Sequence, residues 1–191
     1  MSSDSDLVER LRRLETLAFD ELYQREKSGL YAFLLRLARE PNTAADLFQN
    51  VWLKLAAHAP RLRPESNLRA WLFTVARNEY VSFRRAQALD LSRLLLLGLE
   101  PAREPAGTQH DPHLSELEAA LSRLGDADRE VLLLAAGDGL DSAEAAGVLG
   151  ISAVAFRQRL ARARQRLAAQ LAALRDDRMP SEVAAAAKGV R

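Results

Sequence analysis

The chain has no cysteine. That excludes disulfides, thiolate zinc sites and a cysteine nucleophile. Valine, isoleucine and threonine are sparse, and no stretch alternates apolar and polar residues with period two, so strands have little support. Excess charge of either sign is also missing. Lys plus Arg number 27 against 26 for Asp plus Glu, a formal net charge of +1. Bulk charge therefore says little about partners, and a nucleic-acid signal must come from where the charge sits. The longest apolar run, "LLLLGL" at 94–99, is far too short to span a bilayer. The opening "MSSDSDLVERLRRLE" lacks the apolar core of a signal peptide. The expectation is a cytoplasmic protein with no membrane insertion, its 191 residues enough for one domain or two small ones.

What is present is helical pattern. Phe19, Leu22, Leu30, Phe33, Leu34 and Leu37 recur at helical spacing over 19–38. "EPNT" at 40–43 interrupts, and Asn42 or Thr43 is placed to cap a helix from about 44 to 57. "HAPRLRPES" at 58–66 is a proline-punctuated loop, followed by a helix over about 67–88. Pro101, Pro105, Gly107 and Pro112 then mark 90–113 as a linker, although its Leu94–Leu97 run is unusual for one and has no assigned role. Helices resume over 114–124 and 127–137. Pro180 is expected to break the C-terminal tail, whose role is also unassigned. The fold class is all-α: two small helical domains, 1–89 and 114–175, joined by a flexible linker at 90–113, with a tail at 176–191.

The segment "LDSAEAAGVLGISAVAFRQRLARARQRLAAQL" at 140–171 carries Arg157, Arg159, Arg162, Arg164 and Arg166 beside an apolar stripe. Asp141 and Glu144 have the spacing of a capping box. Gly150 fits a left-handed helix end, and Ser152 can cap the next helix. Helix, glycine-containing turn, helix is the outline of a helix-turn-helix. On the second helix Phe156, Leu160, Ala163, Leu167 and Leu171 fall on one stripe. Ala155, Gln158, Arg159, Arg162 and Arg166 point the other way, with Arg157 on a flank. The first turns of such a helix meet base edges and later turns meet phosphate. Arg157 and Gln158 suit guanine and adenine edges, small Ala153 and Ala155 allow close approach to the groove, and Ser152 joins the candidate −35 set. The competing reading is a solvated basic face on an ordinary bundle helix.

"REV" at 129–131, "AEAAGVLGIS" at 143–152 and "RLARARQRL" at 159–167 together resemble region 4 of the extracytoplasmic-function group of bacterial RNA polymerase sigma factors. The first half carries a second resemblance, in the expected order. "TAADLFQNVWLKL" at 43–55 and "LRAWLFTVARNEYVSFRR" at 68–85 resemble region 2 of the same family. Ala45, Asn50 and Ser82 depart from acids common in the family, and "VAFR" stands where a Gly-Thr-Val-Lys-like run is usual. The resemblance implies a promoter-specificity subunit that binds a −35 element as duplex and a −10 element as melted single strand. It implies core RNA polymerase and promoter DNA as partners and, by analogy, an anti-sigma factor.

The residues of the first half can be read on their own terms. On the 67–88 helix Leu68, Leu72, Val75, Ala76 and Phe83 form a buried stripe. Phe73, Arg77, Tyr80 and Arg84 follow another face, and aromatic rings alternating with guanidinium groups suit unpaired bases and their backbone. Arg61, Arg63 and Arg69 add positive charge on and beside the preceding loop. With the resemblance, Asn67 and Asn78 join this candidate −10 set. Spacing alone equally allows Phe73 and Tyr80 to pack against another helix. Trp52 and Trp71 read as core, and Glu79 has no evident role. On the 44–57 helix Asp46, Gln49 and Asn50 offer polar contacts, which the resemblance directs at the clamp of the polymerase largest subunit.

His110, Asp111 and His113 sit in the linker without a further ligand, so no metal and no cofactor is expected. No catalytic constellation emerges, so the chain is not read as an enzyme. The competing function is a stand-alone helix-turn-helix regulator with an N-terminal sensing or dimerisation domain.

Overall fold

A computed structural model describes residues 4–96, 112–137 and 140–188. Among the described residues there are eight α-helices, one 3-10 turn and no strand. They are α1 (Asp4–Arg12), α2 (Thr16–Ala38), α3 (Pro41–His58), the 3-10 turn (Ala59–Arg61), α4 (Leu68–Leu96), α5 (Pro112–Ser122), α6 (Asp126–Ala136), α7 (Ser142–Leu149) and α8 (Ala153–Lys188).

The N-terminal segment, which read only as polar, forms a packed helix. Leu7, Val8 and Leu11 of α1 are fully buried against α2 and the 3-10 turn, and Arg10 reaches Glu21 on α2 at 2.8 Å. The cap of α3 is neither Asn42 nor Thr43. Glu40 accepts from the backbone N–H groups of both, with Pro41 in the first helical position, where its missing N–H costs nothing. Glu79, on the inner side of α4, is ion-paired with Lys54 of α3, which supplies the role that the sequence left open.

Two expected boundaries move. α4 continues to Leu96, so the first residues of the expected linker are helical; Leu97–Asp111, with His110 and the end of the leucine run, lie outside the described residues. α8 continues through Pro180 instead of breaking there. A proline removes one helical hydrogen bond, and the alanine-rich, strongly helix-forming sequence on both sides outweighs that loss.

α2, α3 and α4 pack on one another, and α6 and α7 pack with α8. The two groups are not separate. α4 lies against α7, α2 against α6, and one apolar cluster runs from Leu22, Leu30 and Leu72 to Val131, Leu134, Val148 and Phe156. A smaller cluster of Leu124, Leu132 and Ala163 ties α6 to α8.

Candidate nucleic-acid interface

The helix-turn-helix is built from local rules. Asp141 Oδ1 accepts from the N–H groups of Ala143 and Glu144 at 2.7 and 2.8 Å, while Glu144 Oε2 accepts from Asp141 N–H at 2.8 Å. This is the reciprocal capping box that the spacing implied. Gly150 ends α7 at φ 66°, ψ 34°, and the next N–H, of Ile151, returns to the Ala146 carbonyl at 3.0 Å. Glycine adopts that left-handed turn without the penalty a Cβ brings. Ser152 Oγ then accepts from Ala155 N–H at 3.2 Å and starts α8. Phe156 and Ala163 are buried, and Leu160 and Leu167 are half-buried, along one stripe.

That stripe turns the basic residues outward. Arg157, Gln158, Arg159, Arg162, Arg164 and Arg166 are all exposed, Ser152 is exposed and Ala155 half-buried. Arg166 is engaged by Asp128 of α6, and Arg162 Nε lies 3.4 Å from the Gln158 carbonyl. Sequence reading passed over Val154. This β-branched side chain is 55 % exposed in the first turn of α8, beside the candidate base-reading residues. An apolar residue off the stripe, next to Arg157 and Gln158, was the available signal.

The face of α4 is arranged differently. Phe73 and Tyr80, expected to present open rings, are each only 2 % exposed. Phe73 packs on Phe33 of α2 with ring centroids 5.1 Å apart, and Tyr80 lies beneath the start of α6 in the shared core. The expectation of an open aromatic face is thus corrected: α4 is covered on two sides, by α2 and α3 and by the C-terminal half. Tyr80 Oη is buried without a hydrogen-bond partner, and burial, then the Asp126 carboxylate, pushes its phenol up.

The polar residues of this face meet acids. Arg77 Nε donates to Glu130 on α6 at 3.0 Å, Arg84 pairs with Asp126 at 3.5 Å, and Asn67 Nδ2 donates to Glu144 of α7. Asn67 also caps α4, its Oδ1 accepting from Ala70 N–H at 2.8 Å. Arg69 turns inward to Glu26, buried on α2, at 3.1 Å, and lies over the Phe73 ring at 5.4 Å. It therefore braces α4 against α2 in this conformation. Glu130 is buried, and desolvation raises its carboxyl above the usual range against the opposing pull of Arg77. Arg61, Arg63 and Asn78 are exposed, and Asn67 and Arg84 are exposed as well despite their acidic partners.

A third surface lies on α3. Asp46, Gln49 and Asn50 are exposed along one side, and Leu53 on the same side is 60 % exposed. Beside them runs an apolar groove lined by Phe19, Tyr23, Phe48 and Trp52, with Tyr23 and Trp52 edge-to-face at 5.0 Å. Trp71 stacks on His58 at 5.4 Å. Among the described residues no helix is long and apolar enough to cross a membrane.

A helix-turn-helix with an outward arginine face, joined to a helical unit that carries a second cationic helix, defines a nucleic-acid-binding protein of two parts. Comparison with known proteins gives the lineage. The Sigma-70 region 2 profile matches residues 22–89 and the Sigma-70 region 4 profile residues 114–167. The ECF RNA polymerase sigma factor EcfG of Rhodopseudomonas palustris (strain TIE-1) is 34% identical over 146 residues, which cover 75% of this chain and 79% of that protein. The ECF sigma factor SigM of Bacillus subtilis (strain 168) is 32% identical over 158 residues, 80% of this chain and 94% of that protein. Among solved structures, the sigma factor RpoE in complex with the anti-sigma factor NepR, from Bartonella quintana, superposes with a TM-score of 0.68 at 29% identity, covering 80% of this chain and 96% of that one. CnrH in complex with the cytosolic domain of CnrY also gives 0.68, at 27% identity, covering 90% and 99%. The chain belongs to the extracytoplasmic-function group of the sigma-70 family. It is a promoter-specificity subunit of RNA polymerase, and subunits of this family recognise promoters without catalysing a reaction.

Proposed function

We propose that the chain directs initiation through three separate surfaces, on units bounded near 1–89 and 114–175 with the linker at 90–113 between them. The first turns of α8 read the −35 element as duplex: Arg157 and Gln158 on base edges, Ser152 and Ala155 at the groove entrance, Arg159, Arg162 and Arg166 toward phosphate. Val154 adds two methyl groups suited to a thymine methyl. The loop and α4 face hold the melted −10 strand through Arg61, Arg63, Asn67, Arg77, Asn78 and Arg84 once α4 is uncovered, with Phe73 and Tyr80 beneath them. Asp46, Gln49 and Asn50, with exposed Leu53, dock on the polymerase clamp. The solved relative in complex with the anti-sigma factor NepR supports an anti-sigma partner for this chain as well.

The observation that carries this reading is the capped helix-turn-helix with its outward arginine face, on a chain matched in order by both sigma regions. Run-off transcription tests it. Purified chain added to core polymerase should select a defined set of promoters from fragmented DNA, and the chain should co-elute with the polymerase. Specific, tight duplex binding by the isolated chain with no polymerase association would favour the stand-alone regulator instead.

A further inference from the structure

The loop that leads from the 3-10 turn into α4 exposes Arg61 and Arg63, yet both of its ends are fixed. At its start Ala59 and Leu62 are buried, with α1 packed against the turn. Within it Arg63 N–H donates to Ser66 Oγ at 3.0 Å, and Ser66 N–H donates to the Arg63 carbonyl at 2.9 Å. At its end stands Arg69, the second residue of α4. Arg69 Nη1 lies 3.1 Å from Oε2 of Glu26, which is only 3 % exposed on α2. The other oxygen of Glu26 accepts from Arg25 Nε at 3.0 Å, and Arg25 Nη1 donates to Asp4 on α1 at 2.8 Å. Alternating charges thus run from α1 through α2 to the first turn of α4.

We propose that Glu26 is a positioning residue for the melted −10 strand. It is buried out of reach of DNA, but it holds Arg69 and so sets where Arg61, Arg63 and Asn67 stand when the strand arrives. The inference rests on the reading of this loop and α4 as the single-strand face.

The hold is directional. A carboxylate between two guanidinium groups is satisfied only over a narrow range of positions, and a buried ion pair adds little net stability after desolvation, so what it supplies is placement. Gly29, one turn beyond Glu26, leaves the guanidinium its space. A Cβ there would stand 3.5 Å from Arg69 Nη2, and any side chain reaching further would enter that space. Glycine weakens a helix interior, so its presence in α2 has a use here. Asn67, two residues before Arg69, caps α4 through Ala70 N–H, so the turn that Glu26 fixes also carries the last residue of the loop.

Glu26→Met with Arg69→Met replaces the pair by unbranched apolar side chains, which fill the site without giving it a direction. The wild-type chain with core polymerase first selects promoters from random DNA. Transcription is then compared on a selected promoter and on the same promoter with its −10 or its −35 element scrambled. The double-methionine chain should melt close to wild type and co-elute with core polymerase. Its preference for the intact −10 element should fall by about tenfold, the discrimination carried by one base position. Its preference for the intact −35 element should not change. An undiminished −10 preference overturns the inference and leaves the pair a stabilising role alone. Equal weakening on all templates overturns it too, and returns Arg69 to the phosphate backbone. A matching fall at both elements would make the defect global and also overturns it.

Glu26→Gln is the second variant, and it releases Arg69 with its charge intact. The same loss of −10 preference is expected. Unchanged or stronger transcription would mean that the freed cation meets DNA directly, and overturns the inference. Failure of both chains to fold does so as well, because the pair is then structural. Arg61→Ala with Arg63→Ala examines the loop itself. Full −10 preference in that chain removes the single-strand reading of the loop, and this inference with it.

Discussion

α4 and α8 carry related chemistry on different terms. Each is a long helix with several arginines and an apolar stripe, and each belongs to a region matched to DNA-handling parts of sigma factors. On α8 the stripe is narrow, bounded by Phe156 and Ala163, and the arginines face solvent. On α4 burial extends around two sides, and Arg69, Arg77 and Arg84 are all engaged by carboxylates. A duplex presents its grooves ready-made, so its reader can stand exposed and preformed. A melted strand exists only after opening begins, so a face built for unpaired bases has no partner to meet before then.

The contrast breaks most visibly in stability. Phe73→Ala should cost about 3–5 kcal/mol, because it empties a site packed against Phe33 in the shared core. Arg157→Ala should stay within about 0.5 kcal/mol of wild type, as exposed substitutions do. Thermal or urea melts of the two variants decide this, and equal stability would mean that the α4 face is open in solution.

DNA binding reverses the order. Arg157→Ala should lose about 1–3 kcal/mol on a duplex bearing the selected −35 element, and little on scrambled sequence. A loss of the same size on both sequences would move Arg157 from base edge to phosphate.

Gly150 sharpens the comparison within the reader itself. Gly150→Ala places a Cβ at φ 66°, where nothing lies within 4 Å to clash, so its cost is backbone strain of about 1–2 kcal/mol. Denaturant unfolding measures it, and a neutral outcome would mean that the turn relaxes.

How much of this was legible follows from how local each determinant is. The capping box, the left-handed glycine, the Ser152 cap and the α8 stripe depend on residues within a turn or two of each other, and each could be placed from spacing. The burial of Phe73 and Tyr80 depends on helices arriving from far along the chain. The spacing allowed a packed face and an exposed one alike, and the choice between them came only with the tertiary contacts. Lys54 opposite Glu79 is equally non-local. α1 was a different kind of miss. Leu7, Val8 and Leu11 form a short stripe, but the acids and arginines between them made the segment read as a solvated terminus. Glu40 was passed over as a cap because shorter side chains usually fill that position.

The acid–base behaviour of Glu130 separates the two faces again. Burial raises its pKa in the packed state above the reference value of 4.5, so the packed state binds that proton more tightly than the unfolded chain does. Its favourable contribution is fully present below that reference value and is lost as pH rises through the raised value. Thermal melts of wild type and Glu130→Gln across that window should show the difference between them changing in this sense, and a pH-independent difference would place Glu130 in water. The smallest effect belongs to Arg166→Ala. It should weaken binding to all duplexes alike and flatten the salt dependence by about one unit of slope.

The continuation of α4 to Leu96 sets a length scale. It leaves residues 97–111 between the last described residue of α4 and the start of α5 at Pro112, where sequence pattern had allotted 90–113. Fully stretched, fifteen residues reach about 50 Å, against about 80 Å for the longer allotment. When the halves part, that leash caps how far the grip on one promoter element can travel from the grip on the other. The number of base pairs tolerated between the two elements is thus bounded partly by how much chain α4 has already taken into helix before it ends at Leu96.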